Sequence, residues 1–220
     1  VALALICATP AYAQSTRISC DAFATARQQL SASYRSYQVP FASTELGAGV
    51  DQLPPSPNRL DKTLLDTALA SYDRHVCLNT GGRAYGPSQI VIVDFAKPSS
   101  QPRLYMVDLI TGRGIDTPIQ VAHGIGSDPN DDGIADRFGN GQNSLMSSLG
   151  AARGAEMYLG MNGLSLRLDG LDVSNSQMRA RDIVAHSYAP ERRRYFNSSL
   201  IAARGKPGSS EGCIVVAPEY

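Results

Sequence analysis

The spacing of apolar residues divides the chain into two regimes. From Cys20 to Tyr37, Phe23, Ala26, Leu30, Tyr34 and Tyr37 fall on one stripe with helical period. A second stripe runs through Leu60, Leu64, Leu65, Ala68, Leu69, Tyr72 and Val76. Ser56-Pro57 reads as its start, with proline at the first helical position, and Asn79-Thr80-Gly81-Gly82 as its stop. From residue 88 the period changes. Gln89–Phe95, Arg103–Leu109 and Pro118–Ala122 are β-branched or alternating runs, the first two separated by Pro98-Ser99-Ser100-Gln101-Pro102. Gly124 to Gly150 is rich in Gly, Asn, Asp and Ser and reads as a long loop. Leu164–Leu168, Asp182–His186 and Ile214–Val216 read as further strands, and Arg192–Ala203 as a helix after Pro190-Glu191. The pattern predicts an α+β, mainly β fold: a helical hairpin within residues 14–82, then a β-rich domain over 83–220.

Composition sharpens this picture in a few places. With 20 basic and 20 acidic residues, the chain lacks the electrostatic footprint of a nucleic-acid binder. No apolar run approaches the roughly 20 residues of a membrane-spanning helix. The first residues, VALALICA, followed by Ala11-Tyr12-Ala13, have the apolar core and small-x-small ending of an export leader. Residues 1–13 are therefore read as part of a signal peptide, the alternative being a buried N-terminal strand. Export implies an oxidising compartment, the periplasm or cell envelope.

Beyond Cys7, the cysteines are Cys20, Cys77 and Cys213, an odd number. Cys20 opens the first helix and Cys77 closes the second. In an antiparallel hairpin those ends meet, so a Cys20–Cys77 disulfide is expected, against the alternative of three buried free thiols. Cys213 is left as a thiol.

Candidate chemistry gathers around that thiol. Cys213 follows Gly208-Ser209-Ser210-Glu211-Gly212 and opens a strand. Successive amides in such a turn can bind an oxyanion, and a neighbouring imidazole can take the thiol proton. The histidines are three. His75 lies in the last turn of the second helix, where a cation suits the helix dipole. His123 and His186 each end a strand.

Ser210-x-Gly212-Cys213, with His186 at a strand end 27 residues before Cys213, resembles the signature of bacterial cell-wall L,D-transpeptidases, cysteine enzymes with a YkuD-type catalytic domain. Ile90–Ser99, Arg103–Leu109, Val121–Ser127, Phe138–Gly150, Tyr158–Leu171 and Arg181–His186 extend the likeness to the branch described as murein L,D-transpeptidase catalytic domain-like, over about residues 60–218. The resemblance implies a YkuD-type β-rich domain acting on peptidoglycan stem tetrapeptides, without metal or cofactor. Cys213 would be the nucleophile and His186 its base and later acid. The amides of Gly212 and Cys213 would hold the oxyanion, Ser210 would shape the turn, and His123 would line the cleft or serve the structure. Two departures stand out. Ser187 replaces the glycine that usually follows the histidine, and only seven residues follow Cys213, where the family pattern carries a further helix or strand.

Other readings compete. Hydrolysis by the same acyl-enzyme would make the protein a carboxypeptidase or endopeptidase. A papain-like protease places Cys before His, opposite to the order here, and a chymotrypsin-like cysteine protease has Gly where Ile214 stands. A catalytically inactive wall-binding module is the third alternative. Asp128-x-Asn130-x-Asp132-Gly133-x-x-Asp136 has the opening spacing of a calcium loop, but position 12 is Gly139 rather than Glu. It is read as a polar surface turn that works without calcium.

Overall fold

The computed structural model describes residues 2–6, 17–32, 60–78, 85–187 and 195–217. Along the chain come β1 (Ala2–Ile6), β2 (Arg17–Ser19), α1 (Cys20–Ala32), α2 (Lys62–Tyr72), β3 (Tyr85–Pro87), β4 (Gln89–Asp94), β5 (Leu104–Asp108), β6 (Arg113–Ile119) and β7 (Val121–Ala122). They are followed by β8 (Gly150–Gly160), β9 (Gly163–Gly170), β10 (Val184–His186), α3 (Ser198–Arg204) and β11 (Ile214–Val216). Nine strands form one sheet in the order β6-β5-β4-β1-β8-β9-β10-β11-β7, and β2 pairs with β3 in a small second one. The edge strands of the large sheet, β6 and β7, are separated in the chain only by Gln120. The sheet therefore curls so that its two edges come together at Gln120, which makes it barrel-like.

Alternation along the strands sorts side chains into two cores. Ile90 and Ile92 of β4, Tyr105 and Val107 of β5, and Ala151 of β8 face the helices and pack with Phe23, Leu30, Leu65, Leu69 and Tyr72. Val93, Leu104, Ala152 and Leu168 point the other way and pack with Ile119, Val121, Ile183 and Ile214 inside the curl. The helical hairpin thus shares a core with the sheet. His75 adds a polar tie, its Nε2 lying 3.0 Å from Asp172 Oδ1, while the other oxygen of Asp172 accepts from the Ala151 amide.

Four expectations change in detail. The cap of α2 is Asp61, whose carboxylate accepts from the Leu64 amide at 3.0 Å; Ser56-Pro57, Tyr34 and Tyr37 lie outside the described residues. α2 does not stop at Tyr72 but widens into a π-helical turn over Asp73–Leu78, which carries Cys77. The strand β8 lies at the end of the expected loop and beyond it. Its sequence, GAARGAEMYLG, has few β-branched residues, and it is a strand because β1 and β9 flank it. The fourth concerns the segment read as an export leader. Ala2–Ile6 pairs antiparallel with β4 and parallel with β8. A short apolar run serves equally as a leader core or as a strand flanked on both sides, so the pattern alone does not separate the two.

Cys20 and Cys77 are joined by a disulfide, with Cα atoms 5.6 Å apart. The bond links the start of α1 to the end of the second helix across 57 residues. In the chain-entropy treatment such a closure is worth about 4 kcal/mol. Replacing both cysteines with alanine is expected to lower unfolding free energy by about 2–5 kcal/mol, measured by urea denaturation. An unchanged midpoint would show that the hairpin is held by packing alone.

Candidate active site

The site is built from three backbone segments that meet at the end of β7, β10 and β11. β7 leads into His123-Gly124, β10 is preceded by Arg181-Asp182-Ile183, and β11 is preceded by the turn Ser210–Cys213. Gly124 bridges to Ser210, the Ser210 amide donates to the His123 carbonyl at 2.8 Å, and the Ile125 amide donates to the Ser210 carbonyl at 2.7 Å. Within the turn, Ser210 Oγ donates to the Cys213 carbonyl at 2.7 Å and accepts from the Gly212 amide at 3.2 Å. Ser210 thus shapes the turn from inside, 2% exposed.

Two glycines are required by this crowding. Gly212 has φ +116°, and a Cβ there would lie 2.7 Å from the Met146 carbonyl oxygen and 2.8 Å from Ile183 Cδ1. A Cβ on Gly124 would lie 2.3 Å from the Leu145 carbonyl oxygen and 2.9 Å from Gly212 Cα.

The Cys213 thiol faces an open cleft of about 590 Å³, which Arg181, Asp182, Tyr158 and Glu211 also line. The sulfur lies 3.7 Å from the Asp182 carbonyl, to which its S–H points. Burial pushes the thiol pKa up, with further upward pressure from Glu211 and Asp182; the Val184 amide and Arg181 pull it down by less. The resting group is a protonated thiol.

His186 lies on β10, whose Ala185 pairs in parallel with Ile214 and whose His186 pairs with Val215. Continued by one residue, that register sets Cys213 beside Val184. Residues 184 and 186 share one face of the sheet, as do 213 and 215, so Cys213 and His186 are diagonal neighbours on one face. Cys213 and Val215 pack with Tyr195, and the His186 ring meets Tyr195 edge-on at 5.9 Å. His186 Nδ1 is hydrogen-bonded to the carbonyl of Ser187. A carbonyl only accepts, so Nδ1 carries the proton and Nε2 is left as the basic nitrogen. Burial lowers the His186 pKa, although the Ser187 carbonyl raises it in part.

Neither His123 nor His186 is among the residues that line the cleft; of the two roles expected of His123, its surroundings support the structural one. His123 is 2% exposed and both ring nitrogens are engaged. Nδ1 accepts from Arg103 Nη2 at 2.8 Å, and Nε2 faces Asp128 Oδ2 at 3.4 Å. Burial first, then the Arg103 charge, pushes its pKa down to about 4. Arg103 is itself fully buried, donates to the carbonyls of Val121 and Lys97, and is brought down to about 9 by burial. Asp128 accepts from Lys206 Nζ at 2.9 Å and from the amides of Asp132 and Gly133. Burial raises its pKa, but those donors together outweigh burial and hold it below the usual carboxylate value.

The Asp128–Asp136 segment is therefore more than a surface turn. Asn130, Asp131, Asp132 and Asp136 are exposed, but Asp128 is buried and Lys206 bridges it to Asp131 at 2.9 and 2.6 Å. The ammonium sits where the carboxylates converge, supplying the positive charge that a cation would bring. Among the described residues no group of three or more His, Cys, Asp or Glu side chains is arranged to hold a metal ion. Thermal unfolding is expected to have the same midpoint in excess chelator and in millimolar calcium; a calcium-dependent rise would show that Lys206 yields to the ion.

Sequence reasoning passed over Arg103, Lys206 and Arg181 as site residues, because each is isolated among apolar or turn residues and shows its role only through partners 20 to 78 positions away.

The buried histidines set an acid limit. A histidine whose folded pKa is depressed resists protonation in the native state while the unfolded chain takes up the proton. The native state therefore loses ground as pH falls from about 6.5 towards about 4, by up to about 3 kcal/mol from His123. His186 acts in the same direction. Asp128 adds to the loss as pH drops below the ordinary carboxylate value. Urea denaturation between neutral pH and pH of about 4.5 is expected to show one to two protons taken up on unfolding. A flat profile would mean that His123 is not buried neutral.

A search of curated proteins and one of solved structures return no match. The family model of the L,D-transpeptidase catalytic domain matches residues 57–220, from just before α2 through the Cys213 turn. That span takes in every strand of the large sheet except β1, together with the cleft, Cys213 and His186, and on it the chain belongs to the YkuD-type L,D-transpeptidase catalytic domain family.

Proposed function

We propose that the protein is a cysteine L,D-transpeptidase that remodels peptidoglycan stem peptides through an acyl-enzyme at Cys213. The observation that carries this reading is the thiol itself. It stands at the wall of an open cleft, on a glycine-dependent turn, with a histidine of fixed tautomer diagonal to it on the same sheet face.

In the proposed cycle, Nε2 of His186 takes the proton of the Cys213 thiol. The sulfur's electron pair forms a bond to the carbonyl carbon of the third stem residue. The carbonyl oxygen takes the negative charge and meets the amides of Gly212 and Cys213. The Gly212 amide rests on Ser210 Oγ at 3.2 Å, a long bond that can be exchanged for an oxyanion. Collapse breaks the peptide bond, and the leaving D-Ala amine takes the proton from His186. An acceptor amine from a neighbouring stem then attacks the thioester, giving up its proton to His186, which returns it to the sulfur. The depressed pKa of His186 keeps it neutral, and thus able to accept a proton, at neutral pH.

Incubation with purified muropeptides, read by mass spectrometry, is the test. The wild-type chain is expected to release D-Ala and form new cross-links. Cys213→Ala should abolish both, and His186→Ala should slow D-Ala release at least ~100-fold. D-Ala loss without cross-links would assign hydrolysis instead of transfer. Full activity in Cys213→Ala would refute the nucleophile.

We also propose that the protein works in the cell envelope. The Cys20–Cys77 bond supports an oxidising compartment, and among the described residues no helix is long and apolar enough to cross a membrane. In the mature protein the leader and strand roles of residues 2–6 exclude each other. Intact-mass measurement of protein from the envelope fraction decides between them: a chain starting at Gln14 means that the working sheet forms without β1.

A further inference from the structure

Two guanidinium groups line the cleft, and they differ in their partners. Arg167 is paired with Asp182 at 2.7 Å and with Glu156 at 3.4 Å. Arg181 donates to four neutral acceptors instead. Nη1 reaches the Gly139 carbonyl at 2.9 Å and Ser148 Oγ at 2.8 Å, and Nη2 reaches the Met146 carbonyl at 2.7 Å and Ser144 Oγ at 3.2 Å. Among the described residues no carboxylate lies within ion-pair distance of it. The group is half-buried, so its charge is held at a desolvation cost that no ion pair among the described residues offsets. Its position is next to the reacting turn: a Cβ on Gly212 would come within 3.2 Å of Arg181 Nη2.

The hydrogen bonds restrict what this cation does. Four of its five N–H groups are committed to fixed acceptors, leaving no two-pronged face for a substrate carboxylate. It is a stationary positive charge against the Gly212-Cys213 backbone. We propose that Arg181 is a positioning residue whose fixed charge stabilises negative charge at Cys213, first the thiolate and then the oxyanion of acyl transfer, while its four hydrogen bonds hold the 139–148 wall of the cleft. The catalytic part of this inference rests on Cys213 being the nucleophile; the electrostatic part does not.

The other groups that act on the sulfur, or neighbour it on the same sheet face, act differently. Glu211 and Asp182 oppose the thiolate, and Asp182 is paired with Arg167. His186 is held neutral by burial, and the Val184 amide contributes a dipole. Arg181 and Cys213 influence one another reciprocally, each favouring the charged form of the other.

The test is the pH dependence of Cys213 alkylation by iodoacetamide in the full chain, followed by mass spectrometry on the Cys213 peptide. Arg181→Gln is expected to raise the alkylation midpoint by about one pH unit, so that the rate at neutral pH falls about tenfold. Arg181→Lys keeps the charge but not the fork, and should stay within about threefold of wild type. The double variant Ser144→Ala/Ser148→Ala loosens the wall but keeps the charge, and should leave the midpoint in place. A wild-type midpoint in folded Arg181→Gln would overturn the proposal. So would an Arg181→Lys or Ser144→Ala/Ser148→Ala midpoint raised by a full unit, and these two variants decide the matter if Arg181→Gln does not fold. Alkylation needs no turnover, so a wild-type chain that fails to release D-Ala counts against the proposed function and leaves this electrostatic result standing. Where D-Ala is released, Arg181→Gln should lower kcat about tenfold and leave KM nearly unchanged.

Discussion

A buried line of alternating charge and imidazole, Arg103–His123–Asp128–Lys206, is the constraint on which the Cys213 turn depends. Its members come from the residue just before β5, the end of β7, the loop after it and the strap after α3. Each is nearly inaccessible to water, so none can move without leaving another unsatisfied, and truncating one buried partner of a pair costs about 3–5 kcal/mol. Arg103 fixes the Val121 carbonyl, and hence β7. Lys206 fixes the start of the strap that ends at Cys213. Between these points, the backbone bonds of Ser210 to His123 and Ile125 stitch strap to strand. The thiol is thereby set without being touched by any charge of the line.

Curling of the sheet gives the line its setting. β6 and β7 are consecutive in the chain yet lie at opposite edges of the sheet, and the antiparallel pairing of β7 with β11 sets the loop after β7 beside the turn before β11. The helices thicken the opposite face, and the Cys20–Cys77 bond ties them together beside the helix-side core. Stability and reactivity are separated in space: the apolar cores and the disulfide hold the sheet, and the polar line positions the turn. Gly124 and Gly212 are the price of bringing three backbones to one point, since either Cβ would collide with main-chain atoms.

The electrostatics of the cleft follow the same division. Burial favours the neutral form of both the thiol and His186, which suits the proposed exchange of one proton between them rather than a permanent ion pair. A fixed cation beside the turn lowers the cost of the charged state without entering the proton transfer. The charged lattice of Arg153, Arg167 and Arg179 with Glu156, Asp169 and Asp182 lies on β8–β9 and its surroundings and is largely exposed, so it contributes little to stability by itself.

Periodicity in the chain was sufficient for the helical stripes, for β4, β5, β9 and β11, and for the α+β class, because burial of one face imposes a repeat that a linear pattern carries. Odd cysteine arithmetic and helix-end geometry were sufficient to pair Cys20 with Cys77, and Ser210-x-Gly212-Cys213 with His186 was sufficient to mark the candidate chemistry. β8 was invisible, since its alanines and glycines become a strand only through neighbours on both sides. The place of Ala2–Ile6 was equally undetermined, since apolarity serves a leader and a central strand alike. His123 and His186 both end strands, and the resemblance singled out His186 while leaving His123 two roles; only the buried Arg103 and Asp128 on either side of its ring favour the structural one. Asp128 read as a turn residue because its cation is Lys206, 78 positions away. Local physics leaves its mark in neighbouring residues, whereas the ion pairs, the closed curl and the fixed charge of Arg181 arise from distant segments brought together, and only the tertiary structure decides them.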